Sequence, residues 1–306
     1  MTAPPPVTVY MPAYNVGPFV RQAVESILNQ TFGDFEFIVI DDGSTDDTLA
    51  VLKELEARDS RIRLVSRPNM GVSRTANEAI ALARGEFLAR IDGDDVAQAT
   101  RLEKQLIYLR AHSQCVAVGC GVLLIDEDGL PLYMMPQVEF DHERIEAALW
   151  SGGWPMVQPA CMFRRDAVVA VGGYRTHLSL HEDHDLFLRL AERGTLENLP
   201  DVLQWYRQRL TSLTYTESSG SKRVMAGILR ETRQRRGLPA LPDAAAEGNG
   251  VAKISHAALA RCRQWGWMSL KARHIPTARK YAAKAVRLAP FSADSWRLMY
   301  CAWRGR

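Results

Sequence analysis

The sequence contains no GxxxxGK(S/T) string, and no GxGxxG follows its first apolar run. The backbone cradles by which P-loop and dinucleotide-binding proteins hold phosphates are therefore missing, which argues against a kinase, a P-loop ATPase and a dehydrogenase. Cysteine is scarce: Cys115, Cys120, Cys161, Cys262 and Cys301 are odd in number and show no CxxC spacing. Neither a disulfide framework nor a zinc ribbon is supported, and a reducing compartment fits best. The histidines show no zinc-ligand spacing either. No apolar run approaches the length of a membrane span; Val116–Ile125 is only a buried strand's length. The opening MTAPPPVTVY lacks the basic and apolar regions of a signal peptide, so the expectation is a cytoplasmic protein. A net charge of +3 over 306 residues is too small to argue for nucleic acid.

What is present is an alternation of strand and helix signals over the first ninety-five residues. Val7–Met11 is a short β-rich run, and Phe19, Val20, Ala23, Val24, Ile27 and Leu28 then fall on one helical face. Phe35–Ile40 is almost continuously apolar, the mark of a strand buried on both sides. Ser44 and Thr45 are expected to cap the next helix, which buries Leu49, Leu52 and Leu55. A third strand at Ile62–Ser66, a third helix around Val72–Ala83 and a fourth strand at Glu86–Ile91 follow. Strands alternating with helices predict an α/β fold with a parallel sheet and crossover helices.

Ligands of such sheets bind beyond the carboxyl ends of the strands. Polar clusters stand at those ends: Ala13-Tyr14-Asn15, Asp41-Asp42-Gly43 and Asp92-Gly93-Asp94-Asp95. Grouped carboxylates repel one another, and a divalent cation relieves the repulsion; hard oxygen ligands suit Mg²⁺ or Mn²⁺ completed by substrate phosphates. The alternative for the Asp92 cluster is a solvated acidic turn. Asp42 is expected to face a nucleotide base or ribose and Asp46 to cap the following helix, although both acids could simply cap. Further on, His181-Glu182-Asp183-His184-Asp185 opens a helix. Its histidines are three apart, which excludes HExxH zinc chemistry. A carboxylate there could serve as a general base beside a pocket, or merely complement the helix dipole.

With these motifs in hand, the chain resembles the family 2 glycosyltransferases, inverting nucleotide-sugar enzymes of the GT-A fold. The matching segments are VTVYMPAYN (Val7–Asn15), QTFGDFEFIVIDDGSTDDT (Gln30–Thr48), RPNMGVSRTANEAIALARGEFLARIDGDD (Arg67–Asp95), MFRRDAVVAVGGYR (Met162–Arg175) and EDHDLFLRL (Glu182–Leu190). The resemblance runs from about Val7 to Thr214 and implies a mostly parallel central sheet flanked by helices. It implies that Pro12, Tyr14 and Asp42, with Asn15 and Asp41 beside them, hold the nucleoside of the donor. Asp92 would lie near the ribose, Asp94 would bind the metal, Asp95 would be a second ligand, and Asp183 would be the catalytic base. The partners implied are a nucleotide-sugar donor and a glycan or lipid-linked acceptor in surface polysaccharide synthesis, with Mn²⁺ or Mg²⁺ as cofactor. One departure stands out: many relatives carry Tyr-Arg-x-His, whereas Tyr206-Arg207-Gln208-Arg209 puts Arg209 where the metal-binding His would fall. An arginine has no lone pair for a metal but can meet a diphosphate. A nucleotidyltransferase on a similar sheet usually wants a basic Gly-rich loop, which Met11–Pro18 lacks. A non-catalytic scaffold sits poorly with the intact acids.

The expected organisation is a catalytic domain over residues 1–215, a helix and linker over 216–250, and a helical region over 251–306 that resembles one tetratricopeptide-like hairpin. Trp265, Trp267, Trp296 and Trp303 lie there among Arg and Lys. They would either place a helix on the inner face of a membrane or pack the helices together.

Overall fold

The computed structural model describes residues 4–135, 139–178, 180–209, 219–239 and 254–305. Most of the expected linker, residues 240–250, lies outside them, as does Thr214. The chain divides into two compact units. One comprises Met1–Val122, Gln137–Trp205 and Arg223–Ala244; the other comprises Leu123–Pro136, Tyr206–Lys222 and Ala245–Arg306.

In the first unit, strands β1 (Val7–Ala13), β2 (Phe35–Asp41), β3 (Ile62–Ser66) and β4 (Phe87–Arg90) alternate with helices α1 (Gly17–Leu28), α2 (Thr48–Glu56) and α3 (Val72–Leu82). The four strands lie parallel in the order β3-β2-β1-β4. Along the chain then come β5 (Val96–Ala97), α4 (Arg101–Ala111), β6 (Cys115–Ile125), β7 (Pro131–Met134), which belongs to the second unit, α5 (His142–Trp150), a 3-10 turn at Gln158–Ala160, β8 (Met162–Arg164), α6 (Arg165–Ala170), α7 (Glu182–Leu190), β9 (Thr195–Arg207) and α8 (Ser219–Arg235). Beyond β4 the sheet continues β8-β6-β9-β5, with β8 antiparallel to β4 and to β6, and β9 antiparallel to β5.

The apolar runs of β1 and β2 explain why the sheet is covered on both sides. Successive side chains point to opposite faces. Val7, Val9, Met11, Phe35, Phe37 and Val39 pack with α1, α2 and α4, while Tyr10, Ile38 and Ile40 pack with α3, α5 and α7. One expectation fails locally. Helix α2 begins only at Thr48, with Asp47 as its cap residue, so Ser44 and Thr45 do not cap it. Instead Asn15 receives the Thr45 N–H (2.8 Å) and donates its own N–H to Ser44 Oγ (3.0 Å), holding these residues in a loop against the β1–α1 turn. The capping expected of Asp46 is present: its carboxylate accepts from Thr48 N and Gly17 N, both at 3.0 Å, serving two helix starts at once.

The second unit contains α9 (Ile254–Lys271), α10 (Ile275–Leu288) and α11 (Ala293–Arg304). Leu270, Ala278, Ala282, Leu298 and Ala302 form its core, and Trp265 meets Tyr281 edge-on at 5.0 Å. Lys280 binds Asp126 and Asp128, and the Tyr281 hydroxyl donates to Asp126 (3.1 Å), which fastens the turn before β7 to α10. Packing therefore accounts for Trp265, whereas Trp296 and Trp303 stand mostly exposed.

Candidate active site

Because β2, β1 and β4 are adjacent and parallel, with Ala13 opposite Asp41 and Tyr10 opposite Arg90, their polar ends share one edge of the sheet. Close approaches draw these ends together. Asp42 N donates to Ala13 O (2.8 Å). A Cβ on Gly93 would lie 2.9 Å from Val16 Cγ2 and 3.7 Å from the Ala13 Cβ, so only glycine lets the Asp92 turn sit against the β1–α1 turn.

At the end of β1, Pro12 is partly exposed and Tyr14 is half exposed, and Asn15 takes a left-handed conformation (φ 51°). At the end of β2 both acids are buried and hydrogen-bonded. Asp41 accepts from Ser66 Oγ (2.8 Å) and more weakly from Ser44 N (3.3 Å). Asp42 accepts from the Arg67 guanidinium, Met70 N (2.8 Å) and Gly71 N (3.0 Å). Arg67 also reaches Glu78 (2.8 Å) and Thr75 (2.9 Å). Expected to meet a nucleotide base, the Asp42 carboxylate thus also organises the loop from Arg67 to Gly71, which no spacing rule announced.

At the end of β4 the four-residue cluster forms a turn, with Asp95 N donating to Asp92 O (3.1 Å). Asp92 and Asp94 are partly exposed, and Asp95 is buried. Asp95 Oδ2 accepts from Gln204 Nε2 of β9 (3.1 Å), and Gln204 Oε1 accepts from Arg101 Nη1 (2.9 Å). Arg101 is wholly buried and also donates to Arg90 O (2.6 Å). Asp95 therefore serves as the nearby anion for a buried guanidinium, joined to it through one amide. The solvated-turn alternative does not describe Asp95, which is buried.

Arg90 links this turn to Tyr174, in the segment before α7. Its guanidinium pairs with Asp92 (Nε and Nη2 both 3.1 Å from Oδ1) and lies over the Tyr174 ring, 5.6 Å from its centroid. Tyr174 in turn shares a 2.9 Å hydrogen bond with Tyr10. Burial pushes both tyrosine hydroxyls above their ordinary pKa, so they stay neutral beside the cation. Arg90 was not singled out from the sequence; its only signal was a charged residue inside the apolar strand Phe-Leu-Ala-Arg-Ile.

Asp183 lies in the first turn of α7, after His181 in a left-handed conformation (φ 62°). Its Oδ1 accepts from His184 N (2.8 Å). Burial, reinforced by the charge of Glu182, raises its pKa to about 7, against the opposing pull of the His184 N–H and the Arg90 cation. The residue keeps a partly exposed edge, but its carboxyl is surrounded by protein. His184 donates from Nε2 to Leu149 O (2.9 Å), and burial lowers its pKa to about 4, so it is neutral. Trp154 meets both histidine rings, at 5.3 Å and 5.7 Å. Asp185 is structural: it pairs with Arg189 (2.6 Å) and Arg175 (3.4 Å).

Among the described residues no group of three or more His, Cys, Asp or Glu is arranged to hold a metal unaided. The oxygen donors of Asp94 and Asp95 still fit Mg²⁺ or Mn²⁺, which bind through one or two carboxylates plus phosphate oxygens, with Asp95 Oδ2 already accepting from Gln204. Arg209 belongs to the second unit, where its carbonyl accepts from Arg261 Nη1 (3.4 Å).

Residues 8–172 match the family model described as glycosyl transferase family 2, more than half of the chain. The chain belongs to glycosyl transferase family 2. A chondroitin synthase of Escherichia coli is 32% identical over 201 residues, covering 65% of this chain and 28% of the synthase. The chain thus spans little more than a quarter of that relative. Among solved structures, Staphylococcus aureus TarS 1–349 in complex with UDP-GlcNAc superposes with a TM-score of 0.61 at 18% identity, covering 97% of this chain and 89% of TarS. The mannosyltransferase PcManGT of Pyrobaculum calidifontis, with GDP-Man and Mn²⁺, gives 0.54 at 20% identity, covering 99% and 81%. At those identities the likeness concerns the fold, and it confirms the GT-A architecture that the sequence implied.

Proposed function

We propose that this family 2 glycosyl transferase moves a hexose-type sugar from a UDP-sugar, or another nucleotide-diphosphate sugar, onto a hydroxyl of a glycan or lipid-linked acceptor. The reaction is a metal-dependent single displacement that inverts the anomeric centre, and its setting is surface polysaccharide synthesis. The observation that carries this reading is Arg90: it pairs with Asp92 on the donor side, and its charge is felt by Asp183. A donor-side acid and a base with a pKa of about 7 are thereby held around one buried cation. The chondroitin named for one relative and the UDP-GlcNAc bound by TarS support a UDP-sugar and a polysaccharide acceptor. The Mn²⁺ of the mannosyltransferase supports a divalent cofactor, Mn²⁺ or Mg²⁺.

On this reading Asp183, about half ionised near neutral pH, takes the proton of the acceptor hydroxyl as its oxygen attacks the anomeric carbon. Asp94, with Asp95 as second ligand, would hold the cation, which supplies charge stabilisation to the departing diphosphate, and Asp92 would lie near the ribose. Arg90 fixes the Asp92 carboxylate and keeps the Asp183 pKa from rising further. Tyr14 and Pro12, with the loop that Asp42 braces, would flank the nucleoside. The enzyme would work in the cytoplasm, beside the membrane wherever its acceptor is lipid-linked. Saturation binding of a nucleotide-sugar panel with and without Mn²⁺, followed by slow donor hydrolysis, tests the reading. A transferase releases the nucleoside diphosphate; a nucleotidyltransferase would release pyrophosphate from a nucleoside triphosphate, and a scaffold would neither bind nor cleave.

A further inference from the structure

Helix α11 has two faces of different character. Ser295, Leu298 and Ala302 are buried, whereas Trp296, Tyr300 and Trp303, spaced i, i+4, i+7, are 53%, 60% and 72% exposed. Phe291, in the loop before the helix, is 100% exposed, and Leu288 at the end of α10 is 55% exposed. Single exposed apolar residues are ordinary, but a stripe of large ones marks a contact surface. On α11 the stripe runs for roughly 10 Å of helix axis from Trp296 to Trp303.

These rings are held in place. Trp296 Nε1 donates to Pro290 O (2.7 Å), and Arg279 Nη2 donates to Trp303 O (3.0 Å). Cations sit on the rings: the Arg279 guanidinium lies 5.2 Å from the Trp303 centroid, and that of Arg304 lies 5.4 Å from Tyr300, with Nη1 donating to the hydroxyl at 2.5 Å. Lys280 is committed to Asp126 and Asp128. The rest of residues 275–304 carries Arg279, Lys284, Arg287, Arg297 and Arg304 against the single acid Asp294. The chain as a whole is only +3, so this positive charge is concentrated here.

An apolar protein groove would leave these guanidinium groups without anions. A bilayer of anionic phospholipid satisfies both components, because Trp and Tyr settle at the headgroup boundary and Arg and Lys reach lipid phosphates while their stems stay apolar. We propose that the aromatic and basic face of α10 and α11 docks on an anionic phospholipid membrane, with Phe291 and Trp303 entering the headgroup region and Arg279 and Arg304 meeting the phosphates. No helix among the described residues is long and apolar enough to cross a membrane, so the contact is one of a helix lying on the surface. The inference does not depend on the donor chemistry.

The test uses the full chain with sucrose-loaded vesicles of phosphatidylcholine alone or with about a third phosphatidylglycerol. Sedimentation with the anionic vesicles, weakened by high salt and small with phosphatidylcholine alone, is expected. Phe291→Ser combined with Trp303→Ser should lower the partition coefficient at least tenfold while leaving the melting curve and donor binding unchanged. Arg279→Gln with Arg304→Gln should flatten the salt dependence. Failure of the wild type to sediment, or a Phe291→Ser/Trp303→Ser variant that sediments equally well, overturns the proposal. So does self-association abolished by those substitutions without any vesicle binding, which would assign the face to a second copy of the chain.

Discussion

Replacing Asp183 by asparagine should nearly abolish transfer and, at the same time, stabilise the protein in a pH-dependent manner. The native pKa of about 7 lies above the ordinary value of 3.8, so between these values the folded state holds a proton that the unfolded state has lost. Stability is therefore fully present below pH 3.8 and declines as pH rises towards 7. At about 1.4 kcal/mol per pKa unit, ionising Asp183 in place costs the folded state about 4 kcal/mol at most. The amide of Asp183→Asn does not ionise and can still accept the His184 N–H through its side-chain oxygen. Urea denaturation of both proteins at pH 4, 5, 6, 7 and 8 should show little difference at pH 4, a growing advantage for the variant up to pH 7, and a plateau beyond. In parallel, wild-type kcat/KM should fall about tenfold per unit below pH 7, while the variant keeps its donor affinity. A pH-independent stability difference, or a variant less stable at pH 8, would refute the assignment of Asp183 as a buried base held out of its preferred charge state.

Arg90→Gln removes the cation that restrains the Asp183 pKa, so the acid limb of the pH–rate profile should move up by about one unit; an unmoved limb denies the coupling. Asp94→Ala should weaken Mn²⁺-dependent donor binding at least tenfold by calorimetry, and unchanged metal dependence would take Asp94 out of the ligand set. Gly43 has φ +75°, and a Cβ there would lie 2.6 Å from Asn69 N. Gly43→Ala should therefore destabilise by about 1–3 kcal/mol in urea titrations, with donor affinity falling as the Arg67–Gly71 loop shifts; wild-type stability would show that the turn is not strained.

The parallel half of the sheet was legible because β1, β2 and β4 are apolar on both faces and lead into polar clusters, and strand direction then places those clusters on one edge. Runs of acid interrupting apolar periodicity marked the segments around Asp92 and Asp183, and the family resemblance supplied the role of each acid. The hydrogen-bonding partners could not be read. Asp42 meets Arg67, Met70 and Gly71 across a separation of 25 to 29 residues, and Asp95 meets Gln204 across 109. Contacts of that range leave no periodic trace. The helix start at Ser44 and Thr45 was misjudged for the same reason: a good local cap was outcompeted by Asn15, about thirty residues away. The pKa of Asp183 is set first by burial, which no residue of the segment His181–Asp185 announces, and only then by Glu182 and the His184 N–H within it.

Gln204 has a side chain with one acceptor end and one donor end, and the protein uses each once: oxygen towards Arg101, nitrogen towards Asp95. Glutamate there would set two anions against each other, lysine two cations, and leucine would remove the link between the two ions. Asparagine falls one methylene short. Anyone altering the acidic turn would thus find this amide on β9 a fixed point, because the turn's geometry rests on it as well as on Gly93 and the Asp95–Asp92 backbone bond.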